Sequence, residues 1–272
     1  MELALVYMVA GLSNRFGGKI KQFAIVGKKG ETLIEYSLKQ ALPAGFTKII
    51  FIVSEKTQLP FKEIFGNNYQ GIPVQYALQL FNQQERDKPW GTVDALCAAS
   101  HLIKEPFVVC NGDDLYGEQA FEILATHLKN HAEKNAQENA TLGYILKQVF
   151  PEHGKVNRGI FTVENNYVID LKEVFDIEKN NLEEKNVDEN SLASMNIFAL
   201  LSETIHKLKL LLEGFKMRNK NNRTIECLLP EQLSALIKNK EITMRIYPTT
   251  AQWFGITNPG DEEKIRKALA ER

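Results

Sequence analysis

Apolar positions in the first third of the chain come in short unbroken runs. Residues 3–9 (LALVYMV) and 48–53 (KIIFIV) are the strongest, and 73–78 (PVQYAL) and 106–110 (PFVVC) are shorter versions. Runs of this kind, without polar alternation, predict strands buried on both faces. Between them the period changes. Over 32–41, Leu33, Ile34, Ser37, Leu38 and Ala41 recur on one helical face, and 92–103 and 118–132 also predict helices. Strands alternating with helices at this spacing imply right-handed crossover units and a mostly parallel sheet.

The second half reads differently. Strands are expected at 141–149, 159–164, 167–174, 192–200 and 242–247, and helices at 203–214, 229–239 and 261–271. Asn165-Asn166 marks a tight turn between two of these strands. Two charged stretches, 176–190 (DIEKNNLEEKNVDEN) and 216–223 (KMRNKNNR), read as solvated loops. No internal repeat is present, and hexapeptide repeats of a β-helix are absent. The expectation is one α/β domain over 1–272, a three-layer α/β/α sandwich around a mostly parallel, Rossmann-like mixed sheet.

Composition narrows the function. With 33 Lys+Arg against 34 Asp+Glu, the net charge is −1, which argues against a bulk nucleic-acid binder. A 272-residue chain that is 44% hydrophobic buries about three quarters of its unfolded surface and needs no covalent staples. Cys97, Cys110 and Cys227 lie far apart with no CxxC pair, which excludes a disulfide scaffold and a thiolate zinc site. They read as reduced core residues. The N-terminus carries an acid where a secretion signal needs a basic region, and no apolar run reaches 18 residues. A cytoplasmic protein without membrane contact is expected, and oligomeric state is left open. The histidines (His101, His127, His131, His153, His206) form no triad-like pattern with a nucleophile and read as surface or structural groups.

The strongest chemical signal follows the first buried run. Residues 10–22, AGLSNRFGGKIKQ, form a loop of small residues and glycines, the kind that brings backbone N–H groups against phosphate. Arg15, Lys19 and Lys21 add positive charge. The loop lacks the GK[ST] ending of a Walker A motif and the spacing of a dinucleotide fingerprint.

This segment resembles the signature of the sugar-1-phosphate nucleotidyltransferases, A-G-x-G-[ST]-R-[FM]-G…K. Ala10, Gly11, Leu12, Arg15, Phe16, Gly17, Lys21 and Gln22 match. Ser13 replaces the second glycine and Asn14 the usual Ser or Thr. Two further motifs follow in order: Gly91-Thr92 before a small-residue helix, and Asn111-Gly112-Asp113-Asp114 after a buried strand. The resemblance implies nucleotide contacts from Ala10, Gly11, Leu12, Ser13, Asn14, Gly91 and Thr92. It implies catalytic roles for Arg15, Lys21 and Asp113, with Asp113 the ligand of Mg²⁺. Asp114 either helps through a water or caps the next helix. Residues 1–135 would bind nucleotide and 136–272 the sugar phosphate.

In the second half the likeness is looser. Gly159 in VNRGIF, Glu173 in DLKEV and Asn196 in SMNIFA match sugar-phosphate-binding positions. Val174 stands where the family has a phosphate-gripping lysine, so Lys147, Lys155, Arg158 and Lys172 are candidate replacements. Trp253 matches a Trp-x-Asp segment, but Gly255 takes the place of its second metal-binding aspartate, and Asp261 reads as an N-cap.

The implied reaction joins a nucleoside triphosphate and a sugar-1-phosphate into a nucleotide sugar and releases pyrophosphate. Its nucleophile is already an anion, so no general base is required. Two alternatives stay open: a cytidylyltransferase for another phosphate such as phosphocholine or a polyol phosphate, and a nucleotide-binding regulatory homologue without catalysis.

Overall fold

The computed structural model describes residues 1–11, 20–133, 138–150, 154–256 and 260–271, without the side chains of 131–133. Its centre is a set of parallel strands: β1 (Ala4–Met8), β2 (Lys48–Val53), β4 (Ile72–Leu78) and β5 (Phe107–Asn111). They lie in the order β4-β2-β1-β5, each parallel to its neighbour. The chain moves outward from β1 through β2 to β4 and then returns to the other side of β1. This reversal makes the carboxyl ends of β1 and β5 a switch point, where open α/β sheets bind ligands.

The sheet continues beyond β5 with strands from the second half. β11 (Phe198–Leu200) is antiparallel to β5 and also to β7 (Glu138–Ile145). β12 (Thr243–Thr249) is parallel to β7. β8 (Val156–Glu164), β9 (Tyr167–Ile177) and β10 (Leu192–Ser194) complete the outer part. β10 pairs with both β8 and β7, so β7, β12, β9, β8 and β10 close a circuit of pairings. With the two-residue β3 (Asn68–Tyr69), eleven strands among the described residues form one sheet. The mixed sheet carries its parallel character mainly in the first half and around β7–β12.

Helices cover both faces, and two large cores result. Tyr7, Phe51, Phe61, Phe121 and Leu142 lie in one, and Val6, Ile50, Leu96, Phe198 and Leu233 in the other. Adjacent strand residues such as Val6 and Tyr7 therefore serve opposite layers, as a sheet buried on both faces requires. On α1 (Leu33–Ala41) the buried residues are the five on the expected face, and Thr32 with Glu35 forms a reciprocal capping box.

Several elements differ from expectation. Helix α2 (Glu55–Phe65) contains Pro60, which hid it. It persists because Thr57, Phe61 and Phe65 recur every four residues and are buried. Helix α3 spans Thr92–Ala98, shorter than expected. The predicted strand over 192–200 is two strands, broken at Asn196, whose φ is +57°. Both residues of the Asn165-Asn166 turn have positive φ, 50° and 66°, as a type I′ hairpin turn demands.

The two charged stretches are more than solvated loops. Within 176–190, Val187 is buried and Leu182 packs against the core. In the second, Lys216 lies on α5 (Ser202–Arg218) and pairs with Asp94 at 2.5 Å. Arg223 holds Asp87 with two N–H donors at 2.8 and 2.9 Å. Buried Arg86 donates to the carbonyls of Lys88, Asn222 and Ile225 and lies 3.4 Å from the Trp90 ring centroid. These contacts fasten residues 86–94 to residues 216–225, next to Thr92 at the rim of the cavity described below.

Candidate active site

A cavity of about 270 Å³ opens at the carboxyl end of β5. Its floor comes from Asn111, Asp113 and Asp114, one wall from Asn157, Arg158, Gly159 and Glu173, another from Ser194 and Asn196, and its rim from Thr92, Pro230 and Trp253.

The floor is set by glycine. Gly112 N–H donates to the Met8 carbonyl at 3.1 Å, and a Cβ at 112 would lie 2.2 Å from Val9 Cγ1. Only glycine lets the chain turn this closely over the end of β1. The turn delivers Asp113 to the Lys21 ammonium, with which it forms an ion pair. Lys21 also donates to the Ile256 carbonyl at 3.3 Å, so it is held by two elements.

Asp114 does not cap a helix. It opens β6 (Asp114–Leu115), which pairs with β13 (Phe254–Gly255), and Gly255 is its direct partner. Its carboxylate accepts from Asn111 Nδ2 at 2.9 Å and Tyr116 Oη–H at 3.3 Å. Burial, then the neighbouring Asp113 charge, pushes the Asp114 carboxyl up to about 7, against the Asn111 hydrogen bond and the charges of Lys21 and Arg158. A Cβ at 255 would sit 2.5 Å from Asp114 Oδ1 and 2.4 Å from the Trp253 ring. Gly255 thus leaves the room that the Asp114 carboxylate and the Trp253 indole occupy.

Gly91 and Thr92 have structural duties of their own. Gly91 has φ +97°, and a Cβ there would lie 2.8 Å from the Cys227 carbonyl oxygen. Its carbonyl accepts from buried Gln79 at 3.1 Å. Thr92 Oγ1 accepts from the backbone N–H of Leu229 at 2.8 Å, the first residue of α6 (Leu229–Lys238). Ala10 and Gly11 leave β1 at the same edge, and a Cβ at Gly11 would meet nothing within 4 Å among the described residues. Leu12, Ser13, Asn14 and Arg15 lie outside the described residues.

The far wall brings the second-half residues together. Gly159 on β8 pairs with Glu173 on one side and Ser194 on the other. A Cβ on Gly159 would be 3.3 Å from Ser194 and 3.5 Å from Glu173 Oε2, so glycine keeps this wall hollow. Asn196, in its left-handed conformation, donates its backbone N–H to Ser194 Oγ at 3.3 Å. Burial and nearby Glu231 raise the Glu173 carboxyl, opposed by Arg158.

The structure also ranks the candidate cations. Lys147 pairs with Glu189 and Lys155 with Glu178, and Lys172 is exposed. Arg158 alone among these lines the cavity, and its cross-strand partner is Val174. Its place opposite Val174 comes from cross-strand register, which the sequence alone does not display.

Other expectations resolve simply. Asp261 is the first residue of α7 (Asp261–Ala270), with Gly260 as its cap. His101 and His206 are exposed, and buried His127 is bonded to Tyr247 Oη and the Glu138 carbonyl. The His131 side chain and His153 lie outside the description. Among the described residues no helix is long and apolar enough to cross a membrane.

A family model described as nucleotidyl transferase matches residues 17–260. The chain belongs to this nucleotidyl transferase family. Solved structures agree in fold. The inositol-1-phosphate CTP transferase from T. maritima superposes with a TM-score of 0.69 at 15% identity, covering 100% of this chain and 96% of the other. A UDP-glucose pyrophosphorylase in complex with UDP-glucose gives 0.67 at 16%, covering 100% and 99%. The UDP-glucose pyrophosphorylase from Acinetobacter baumannii gives 0.64 at 17%, covering 98% and 92%. No curated protein matches the chain significantly. As a nucleotidyl transferase, the protein has its cavity where the switch-point rule puts it.

Among the described residues no three His, Cys, Asp or Glu side chains form a metal-binding group. A magnesium ion held beside nucleotide phosphates needs only one or two protein carboxylates. Adjacent Asp113 and Asp114, one buried and crowded by the other's charge, fit that demand.

Proposed function

We propose that this nucleotidyl transferase moves a nucleoside monophosphate from a nucleoside triphosphate to a sugar-1-phosphate and releases pyrophosphate. The observation that carries the reading is one cavity lined both by Asp113, the ion-pair partner of Lys21 after the end of β5, and by the hollow wall of Gly159, Glu173 and Asn196. One side offers charge for phosphates, the other hydrogen-bonding groups for a polyhydroxylated acceptor.

In this reading an acceptor phosphate oxygen attacks the α-phosphorus while the bond to the β-phosphate oxygen breaks. The acceptor oxygen carries its charge already, so no residue need remove a proton. Alignment of two repelling anions is the main task. Ala10, Gly11 and the following Leu12, Ser13 and Asn14 would bind phosphate through backbone N–H groups. Gly91 and Thr92 would bound the nucleobase. Arg15 and Lys21 would neutralise charge on the departing pyrophosphate. Asp113, aided by Asp114, would hold Mg²⁺, which supplies charge neutralisation at the reacting phosphates. Glu173 and Asn196 would accept from and donate to acceptor hydroxyls. The free thiols of Cys97, Cys110 and Cys227 fit the cytoplasm.

A second reading, transfer to a non-sugar phosphate, draws support from Val174 in the lysine position and from the inositol-1-phosphate CTP transferase likeness. Pyrophosphate release decides. UTP, dTTP, CTP, GTP and ATP are each paired with sugar-1-phosphates, inositol 1-phosphate and phosphocholine in the presence of Mg²⁺. Turnover with a sugar-1-phosphate is expected. Turnover with inositol 1-phosphate or phosphocholine alone moves the function to the second reading. Nucleotide binding with no turnover across the panel would overturn both.

A further inference from the structure

A polar cluster of Gln79, Asp94 and Lys216 reaches the cavity rim through the backbone of Gly91 and Thr92. At its centre is Asp94, in the first turn of α3, a carboxylate residue only 8% exposed. Its Oδ1 accepts from the Lys216 ammonium at 2.5 Å and its Oδ2 from Gln79 Nε2 at 3.0 Å. The same Gln79 nitrogen donates to the Gly91 carbonyl at 3.1 Å. Carboxylate and carbonyl are both acceptors, so the amide nitrogen must face them, and its two hydrogens are both spent. Asp94 therefore sets the orientation of Gln79, and Gln79 sets the Gly91 carbonyl.

Lys216 reaches the chain on both sides of Gly91. Its ammonium contacts Asp94 after the glycine and lies 5.9 Å from the ring centroid of Trp90 before it. Trp90 is fixed further by Arg86 against its ring and by Phe215 edge-on at 6.3 Å. Gly91 needs such ties. It caps α3 at φ +97° with no side-chain hydrogen bond, and a glycine has more conformations to lose than any other residue. With Gly91 settled, Thr92 follows at the cavity rim, where its Oγ1 accepts from Leu229.

Stability does not account for the cluster. Val93, Ala95 and Leu96 already pack α3 into the core, and a buried ion pair adds little net stability because desolvation offsets the attraction. What the cluster adds is geometry, and topology says for which substrate. β4, which ends just before Gln79, lies on the β1 side of β5. β8, β9 and β10, which carry the wall of Gly159, Glu173 and Ser194, lie on the other.

We propose that Asp94 and Lys216 are positioning residues for the nucleotide. Through Gln79 and Gly91 they set the rim that bounds the nucleobase, and they leave the acceptor side alone. This rests on the transferase reading above.

The test compares wild type with Asp94→Asn, Lys216→Met, Lys216→Arg and the double variant Asp94→Asn/Lys216→Met. Asparagine keeps the shape of Asp94 but can turn its own NH2 toward Gln79 and let that amide flip. Calorimetry with Mg²⁺ titrates UTP, dTTP, CTP, GTP and ATP into wild type, and the tightest-binding one is carried through the series. Steady-state kinetics with the acceptor found in the screen report kcat and both KM values. Asp94→Asn and Lys216→Met should each weaken triphosphate binding about tenfold, as a small misplacement does. The double variant should lose no more than the worse single one, because both break one network. Lys216→Arg should recover most of the loss, and acceptor KM should stay within about twofold. Thermal melts confirm that each variant is folded. The Lys216 side chain is 37% exposed, so its variants carry the test even where Asp94→Asn fails to fold.

Unchanged triphosphate affinity in folded Lys216→Met, whatever its melting temperature, overturns the positioning role and leaves the transferase reading intact. An acceptor KM that rises as much as triphosphate affinity falls also overturns it, since that marks a general loosening of the cavity. Triphosphate binding that depends on the pair in a protein with no turnover keeps the positioning role and overturns the transferase reading. A wild type that binds none of the five triphosphates overturns both.

Discussion

Replacing Asp114 with asparagine should make the metal-free protein more stable at pH 8. The carboxyl of Asp114 is pushed up to about 7 from an ordinary 3.8, chiefly because it is buried and secondarily because Asp113 adjoins it. Between those two values the folded state holds a proton that the unfolded state has lost. Stability must therefore fall as pH rises from about 4 to 7, and stay low above that. At about 1.4 kcal/mol per unit, the gap is worth about 4 kcal/mol. Asparagine is isosteric and can still accept from Asn111 and Tyr116 through its amide oxygen. The expected gain at pH 8 is about 2–4 kcal/mol, shrinking toward zero near pH 4. Urea unfolding of both proteins at pH 4, 6 and 8 without divalent ions measures it. Equal stability at pH 8, or the same fall between pH 4 and 7 in both proteins, refutes the reasoning.

Two further outcomes follow from local geometry. Gly91→Ala places a side chain at φ +97° and within 2.8 Å of the Cys227 carbonyl oxygen; it should cost about 2–4 kcal/mol in urea unfolding, by strain plus steric conflict. Burial pushes the thiols of Cys97 and Cys227 up to about 12 and that of Cys110 well above its ordinary value, so the thiolate is scarce at pH 8. Iodoacetamide should label all three slowly in the native protein and rapidly in urea, as mass spectrometry would show.

Much of the fold was legible because its strands are buried on both faces. β2 coincides with its apolar run, and the buried face of α1 is the one its spacing defines. What escaped the pattern has physical causes. Pro60 disguised α2, whose helix is held by Phe61 and Phe65 against the sheet. The left-handed turn at Asn196 split a strand whose residues look uniformly extended in sequence. The charged stretch at 216–223 looked like a surface loop because its partners, Asp87 and Asp94, are more than a hundred residues away. The candidate site was legible where it is contiguous, as at Asn111–Asp114. The sequence leaves Arg158 one of four candidate cations and hides the pairing of Asp114 with Gly255, because each depends on cross-strand register, which a single strand's composition does not encode.

The insertion of β11 between β5 and β7 bears on how such a protein could acquire a new acceptor. β11 comes from the second half of the chain, yet it hydrogen-bonds β5, the strand that leads into the turn of Asp113. Recombining the second half with that of a relative would exchange one hydrogen-bonded neighbour of β5 and bear on the Gly112–Asp114 turn that follows it. The halves are not interchangeable cassettes. A change of acceptor in this architecture is expected by point substitution along the cavity wall rather than by exchange of halves.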